Sequence, residues 1–229
     1  ELAAEVEAAL RGTELSWECV WVNDGSTDAT VDVLAGLHAK DTRHVAVTHD
    51  GNFGQSAGLA TGFAHARGAV FATLDGDGQN DPADIPKLLD RLSQGDVGMV
   101  NGIRVTRRDT FVRRMSSKIA NGMRRAVLHD GVTDVGCALR VMRRDAVEAL
   151  PVFKGMHRFL PALARANGYV CTELPVNHRP RTKGVAKYGV GNRLWVGIAD
   201  LIGVRWWLAR RVRPRVRSAS GEFQRTPAA

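Results

Sequence analysis

Between Cys19 and Leu92 short apolar runs alternate with helical stretches, and this alternation constrains the fold more than any single motif. Cys19–Asn23 (CVWVN) and Val45–Thr48 read as strands, and a third strand, AVFATLD, runs into Asp75. A helix over Glu1–Leu10 precedes them. Further helices occupy Thr30–Ala39 and the stretch from the glycine-rich turn Gly51–Gly54 to Arg67. Asp81 and Pro82 have the chemistry of an N-cap and first helical residue for Ala83–Leu92. Strands alternating with helices of roughly 10–15 residues predict βαβ units, hence an α/β fold with a mainly parallel central sheet flanked by helices. Open sheets of this kind bind ligands beyond the carboxyl ends of their strands. Residues just after each strand are therefore the first candidates for function.

The strongest such stretch is Leu74-Asp75-Gly76-Asp77-Gly78-Gln79. Two carboxylates one residue apart on a turn can reach one hard cation and its substrate together, and glycines let a phosphate approach the backbone. Oxygen donors of this type suit Mg²⁺ or Mn²⁺ bridging a nucleotide diphosphate. An acidic turn whose glycines serve geometry alone is the alternative. Asn23-Asp24-Gly25-Ser26-Thr27-Asp28 ends an earlier strand in the same way and reads equally as an Asx-turn and helix cap. Asn52-Phe53-Gly54-Gln55 opens a helix, whose N-terminus favours anions.

Charge divides the chain. Residues 1–100 carry 6 basic and 16 acidic side chains, residues 101–178 carry 14 and 6, and residues 179–229 carry 12 and 2. A basic second half suggests a polyanionic partner, either nucleic acid, anionic lipid or a phosphorylated substrate. Eight Arg or Lys and one acid fall within Arg104–Arg125. In the helix expected over Val112–Leu128, Arg113 and Ser117 are i,i+4 neighbours and could cradle a phosphate monoester. Asp134, in TDVGC, could orient an acceptor, act as a base, or bond only to backbone. Beyond it a turn and strand are expected in VTDVGCALRVM, helices near Asp145–Leu150 and Arg158–Ala166, and a strand around Tyr169–Val176.

The three cysteines, Cys19, Cys137 and Cys171, are scattered, which fits free thiols in a reducing cytosol rather than a disulfide framework or zinc site. The seven histidines show no metal-ligand spacing. No leader follows Glu1 and no apolar run reaches membrane-spanning length. Trp195, Trp206 and Trp207, flanked by Arg205, Arg210, Arg211, Arg213, Arg215 and Arg217, read as an amphipathic interfacial membrane helix. A helix packed on its own domain is the competing reading. The tail 218–229 is polar and expected to be disordered.

Taken in order, VNDGSTDAT, NFGQSAGLATGFAHARG and TLDGDGQNDPADIPKLL resemble the inverting nucleotide-sugar transferases of glycosyltransferase family 2. RRMSSKIAN, TDVGCALRVM and HRPRTKGVAKYG resemble acceptor-side motifs of the polyprenyl-phosphate subgroup, the dolichol-phosphate mannose synthase type. The resemblance covers about residues 1–210 and implies a GT-A-like fold. It implies that Asp75, Asp77 and Gln79 hold Mg²⁺ or Mn²⁺, with Asp77 catalytic, and that Asp24 contacts the nucleoside. It also implies that Gln55 and Arg104 serve the donor, that Arg113 and Ser117 face the acceptor phosphate, and that Arg181 and Lys187 belong to a basic loop closing over the donor. Two departures stand out. The family's first strand, with its P-x-x-N-E end, would lie before Glu1, and Ala186 replaces the usual Ser of G-x-S-K.

The resulting expectation is a glycosyltransferase domain over 1–189, a membrane-surface helix over 190–217 and the tail. It would move a hexose, from a donor of the GDP-mannose or UDP-glucose type, to a polyprenyl phosphate with inversion and with a metal. It would act in cell-envelope glycan synthesis, in the cytoplasm, peripherally at the inner face of the membrane, and without nucleic acid. The alternative is a non-catalytic polyanion or membrane-surface module, or a truncated pseudo-enzyme of the same fold.

Overall fold

The computed structural model describes residues 1–105, 111–148, 150–180 and 190–212, with the side chains of 111–114, 116–120 and 190–194 outside that description. The expected tail and the basic loop carrying Arg181 and Lys187 lie outside the described residues. Helix α1 (Leu2–Leu10) precedes β1 (Cys19–Asn23), α2 (Thr30–Lys40), β2 (His44–Thr48), α3 (Gln55–His65) and β3 (Val70–Thr73). Then come α4 (Ile85–Ser93), β4 (Val97–Arg104), α5 (Phe111–Leu128), β5 (Arg140–Arg143), α6 (Arg144–Val147), α7 (Leu160–Ala166), β6 (Val170–Val176) and α8 (Val190–Arg210). Asp81 caps as its chemistry requires, accepting from the Ala83 N–H at 3.1 Å, but Pro82–Asp84 form a 3₁₀ turn before α4 begins.

Strands β1 and β2 pair in parallel, from Cys19 opposite His44 to Asn23 opposite Thr48. The other four lie in the order β3-β5-β4-β6. β5 is antiparallel to both neighbours, while β4 and β6 are parallel. Hence β3, β4 and β6 all run one way and only β5 is reversed. Their carboxyl ends share one edge with the start of β5, where Arg140 pairs with Thr73 on one side and Asn101 on the other.

Alternation along the central strands builds a core on each sheet face. Val97, Val100 and Val141 meet Ile85, Leu88 and Leu92 of α4 on one face. Met99 and Met142 meet Phe71, Leu160 and Ala164 on the other. α8 adds a third cluster, in which Val204 packs with Phe159 and Leu163. It is apolar on two sides rather than one. Leu201, Val204 and Leu208 pack inward, while Trp195, Ile202 and Trp206 stand exposed.

Candidate active site

The site begins where β1, in the separate two-stranded sheet, ends. Asn23 is buried, and its Oδ1 accepts from the Ser26 N–H at 3.1 Å, which tightens the turn. Asp24 then turns back across α3. Its carboxylate accepts from the backbone N–H groups of Phe53 (2.9 Å) and Gly54 (2.7 Å), the entry to that helix, and pairs with His49 Nδ1 at 2.9 Å. Burial would raise the Asp24 carboxyl, but the bonds from His49, Phe53 and Gly54 outweigh it and hold the group below the usual range. Gly25, at φ +71°, makes the turn possible: a Cβ there would stand 2.5 Å from the backbone carbon of Gly51.

Gln55, the first residue of α3, bridges to the next strand end by donating from Nε2 to Asp75 Oδ1 at 2.8 Å. The Asp75–Gln79 turn is ordered from within, since Asp77 Oδ1 accepts from the Gln79 N–H at 3.1 Å. A backbone bond from Arg179 N–H to the Gln79 carbonyl, at 2.8 Å, fastens the turn to the chain beyond β6. Arg179 itself spans Glu5 (2.6 Å) and Asp81 (2.9 Å). The donor set of this turn, two carboxylates and one amide oxygen, has the hardness that Mg²⁺ and Mn²⁺ prefer. A second group of possible ligands, Glu7, Asp41 and His44, brings its atoms within 4.8 Å of one another. There Trp21 Nε1, a donor only, points at His44 Nδ1 (3.1 Å), so His44 Nε2 carries the proton shared with Glu7 at 3.0 Å. With both ring nitrogens used, and placed at the start of β2 rather than its end, that cluster reads as structural.

On the basic half, Arg104 closes β4 and forms a bidentate pair with Asp134, Nε to Oδ2 at 2.8 Å and a terminal nitrogen to Oδ1 at 2.7 Å. Glu173 of β6 holds the Asp134 turn by accepting from the Thr133 and Asp134 N–H groups. Two residues expected to act separately, one on the donor and one on the acceptor, are thus a single unit. To serve as a base, Asp134 would first have to give up a guanidinium fork. Arg113 and Ser117 lie on α5, but their side chains are outside the described residues, as are Arg181 and Lys187 entirely.

Sequence reasoning missed Arg140. It is buried and, among the described residues, donates only to backbone carbonyls, those of Cys137 (2.6 Å), His157 (3.1 Å) and Val135 (3.4 Å). Burial pulls its guanidinium below the usual range, opposed by the nearby Cys137, Asp75 and Asp134. A fixed cation thus lies beneath the edge that bears the carboxylates. The signal was an arginine interrupting the apolar run CALRVM. His157, one of the histidines without metal-ligand spacing, is half-buried beside α3. It receives or shares a bond with Ser56 at 2.9 Å, next to Gln55, and burial, with Arg158 and Arg140 nearby, pushes it down to about 4.

The family model for glycosyl transferase family 2 matches residues 1–150. A dodecaprenyl-phosphate galacturonate synthase from Rhizobium johnstonii is 35% identical over 93% of the chain and 64% of its own length. An undecaprenyl-phosphate 4-deoxy-4-formamido-L-arabinose transferase from Pseudomonas paraeruginosa is 37% identical over 82% of the chain and 56% of its own length. The chain therefore spans less than two thirds of these relatives. Among solved structures, a Pyrobaculum calidifontis mannosyltransferase in complex with GDP-Man and Mn²⁺ matches at TM-score 0.56 and 20% identity, over 86% of the chain and 56% of its own length. A Mycobacterium tuberculosis glucosyl-3-phosphoglycerate synthase with Mn²⁺, UDP and glucosyl-3-phosphoglycerate matches at TM-score 0.60 and 14% identity, over 90% and 74%. These structural likenesses establish the GT-A fold.

Proposed function

The chain belongs to glycosyl transferase family 2, and from that premise we propose that it transfers a sugar from a nucleotide-sugar donor to a polyprenyl phosphate, with inversion. The observation that carries the reading is the joining of two strand ends through α3. Asp24 is bonded to Gly54 N–H at 2.7 Å and Asp75 to Gln55 at 2.8 Å, so a nucleoside contact and a diphosphate contact would lie on one edge.

In this reading Asp75, Asp77 and the Gln79 amide oxygen hold Mg²⁺ or Mn²⁺, which when bound neutralises charge on the departing nucleoside diphosphate. Asp24 and Gln55 orient the donor. Arg104, aimed by Asp134, faces the donor phosphates, and Arg140 adds a fixed positive charge from below. Arg113 and Ser117 place the acceptor phosphate, and Arg181 and Lys187 close over the donor. A phosphate monoester with a second pKa near 6 is already largely dianionic at neutral pH. It needs placement more than deprotonation, so Asp134 serves as an orienting group rather than a base. The donor is of the GDP-mannose or UDP-glucose type. The relatives' names carry galacturonate and a formamido-arabinose, so the sugar is a property to assign by assay. We place the protein at the cytoplasmic face of an anionic membrane, in cell-envelope glycan synthesis. Exposed Trp195 and Trp206 support that contact, and no described helix is long and apolar enough to cross a membrane.

The test is a panel of labelled nucleotide sugars with a short polyprenyl phosphate, scored for lipid-linked product. One donor should give metal-dependent product, and Asp77→Asn should lower turnover at least about a hundredfold, ~2.7 kcal/mol of barrier, with unchanged circular dichroism. Undiminished turnover in that variant, or no product and no metal-dependent nucleotide binding across the panel, would overturn the proposal.

A further inference from the structure

A second concave region lies away from the strand-end carboxylates, where the carboxyl ends of α5, α7 and α8 meet. It is an open depression of about 460 Å³, lined by His129, Arg165, Arg205 and Arg211 over an apolar floor that includes Leu128 and Leu208. His129 closes α5 at φ +52°. Leu128 is 15 residues beyond Arg113 on α5, about 22 Å of helix axis, so this is not the place expected for the acceptor phosphate.

The charge of the depression is one-sided. Each helix end contributes about half a negative charge from its unpaired carbonyls, roughly −1.5 for three ends. Three arginines exceed that by about one and a half charges. Among the described residues no carboxylate lines the depression, and none pairs with Arg165, Arg205 or Arg211. Converging guanidinium groups without a carboxylate are a phosphate site in waiting. The apolar floor and the outer side of α8 indicate which phosphate. At about 100° per residue, Trp195, Ala199, Ile202 and Trp206 fall within about 60° of one another. Trp195, Ile202 and Trp206 are 72%, 65% and 60% exposed. Arg205, exposed on the same helix, and Arg211, just past its end, therefore line the depression beside the face that would lie against the bilayer.

We propose that this depression binds the phosphate headgroup of an anionic phospholipid, with the arginines on the phosphate and the acyl chains leaving along the exposed Trp195–Trp206 stripe. The proposal rests on the membrane contact proposed above and adds to it a defined headgroup site. A volume of several hundred Å³ is of the size that small organic ligands occupy. Because the site uses α8 together with α5, a bound headgroup would fix the orientation of the glycosyltransferase edge relative to the bilayer that holds the acceptor.

The experiment uses the full chain, an Arg165→Gln/Arg205→Gln double variant and a Trp195→Ser/Trp206→Ser double variant. Dihexanoyl-phosphatidylglycerol below its micellar concentration is titrated by NMR or tryptophan fluorescence, with dihexanoyl-phosphatidylcholine and inorganic phosphate as comparisons. Co-sedimentation with phosphatidylglycerol vesicles is measured in parallel. The arginine variant should lose at least tenfold in affinity for the short-chain anionic lipid with its Tm unchanged. The tryptophan variant should keep the short-chain response and lose the vesicles. Equal short-chain binding by the arginine variant, or a lowered Tm with vesicle binding intact, would overturn the site, since the arginines would then serve only the helix ends. Displacement of the short-chain lipid by an equal concentration of inorganic phosphate would also overturn it as a lipid site. Failure of the wild type to bind vesicles, with the short-chain response present, would instead remove the membrane contact and leave the headgroup site standing.

Discussion

Replacing Asp134 by Asn separates an orienting group from a base, because the two roles fail differently. Side-chain exposure is 13% for Arg104 and 7% for Asp134, so the pair is buried and its Coulomb attraction is poorly screened. Removing one member of such a pair costs about 3–5 kcal/mol, because the remaining charge is left uncompensated. Asn keeps one oxygen that Arg104 can still bond, worth about 1 kcal/mol. A net loss of about 2–4 kcal/mol follows. For a chain of this size each kcal/mol lowers Tm by about 2–4 °C, so Tm should fall by about 4–16 °C. Turnover should fall too, through a misdirected Arg104, without loss of an acidic limb in the pH–rate profile. Calorimetry and pH–rate curves on Asp134→Asn, with an Arg104→Met/Asp134→Leu double variant, make the assay. The apolar pair should recover much of the stability and none of the activity. An unchanged Tm together with disappearance of the acidic limb would refute this reasoning and restore Asp134 as a base.

Two further outcomes follow from geometry already described. His157 is held down to about 4 in the folded chain, against 6.5 ordinarily, so protonation favours the unfolded state. Its stabilising contribution is complete above pH 6.5 and disappears as pH falls from 6.5 through 4, by up to about 3 kcal/mol. Urea midpoints at intervals across that window should fall for the wild type and fall less for His157→Asn; identical slopes would refute the assignment. Gly25→Ala forces a Cβ into the Gly51 backbone and a side chain into φ +71°, displacing Asp24 from the entry to α3. Nucleoside diphosphate binding measured by calorimetry should weaken at least tenfold, about 1.4 kcal/mol, and an unaltered affinity would remove Asp24 from the donor contact.

Where local chemistry and tertiary need agreed, the sequence was readable. CVWVN is β1 residue for residue, Asp81 caps its turn, and the carboxylate stretches fall at strand ends. β4 is the instructive failure. It is the central, most buried strand, yet the residue-by-residue reading did not delimit it, because Gly98 and Gly102 break the pattern expected of a strand. Both glycines are there for close packing: a Cβ on Gly98 would lie 2.6 Å from Tyr169, and one on Gly102 would lie 2.7 Å from Val176. The strand expected in VTDVGCALRVM is present as β5, RVMR, but nothing in so short a run marks that it inserts reversed between β3 and β4. The Arg104–Asp134 pair joins residues 30 apart, and nothing in local sequence marks such a partnership. His49 and Glu173, which hold Asp24 and the Asp134 turn, look like ordinary polar residues until their partners are known. The α8 expectation met a different difficulty. One apolar face packs on the domain and a second faces outward, so the simple two-sided pattern of an interfacial helix is not what the chain displays.

The reversed strand β5 also sets a timetable. It lies between β3 and β4, yet it is made after both, some 67 residues after Thr73. Until Arg140–Arg143 leave the ribosome, β3 has no neighbour on that side, and the Asp75 edge it carries lacks both its ladder and the buried guanidinium beneath it. At about 5–20 residues per second the nascent chain waits roughly 3–13 s in that incomplete state. Release late in that interval yields a polypeptide that contains Asp24, Asp75 and Asp77 without the β5 ladder and Arg140 that complete the edge around them.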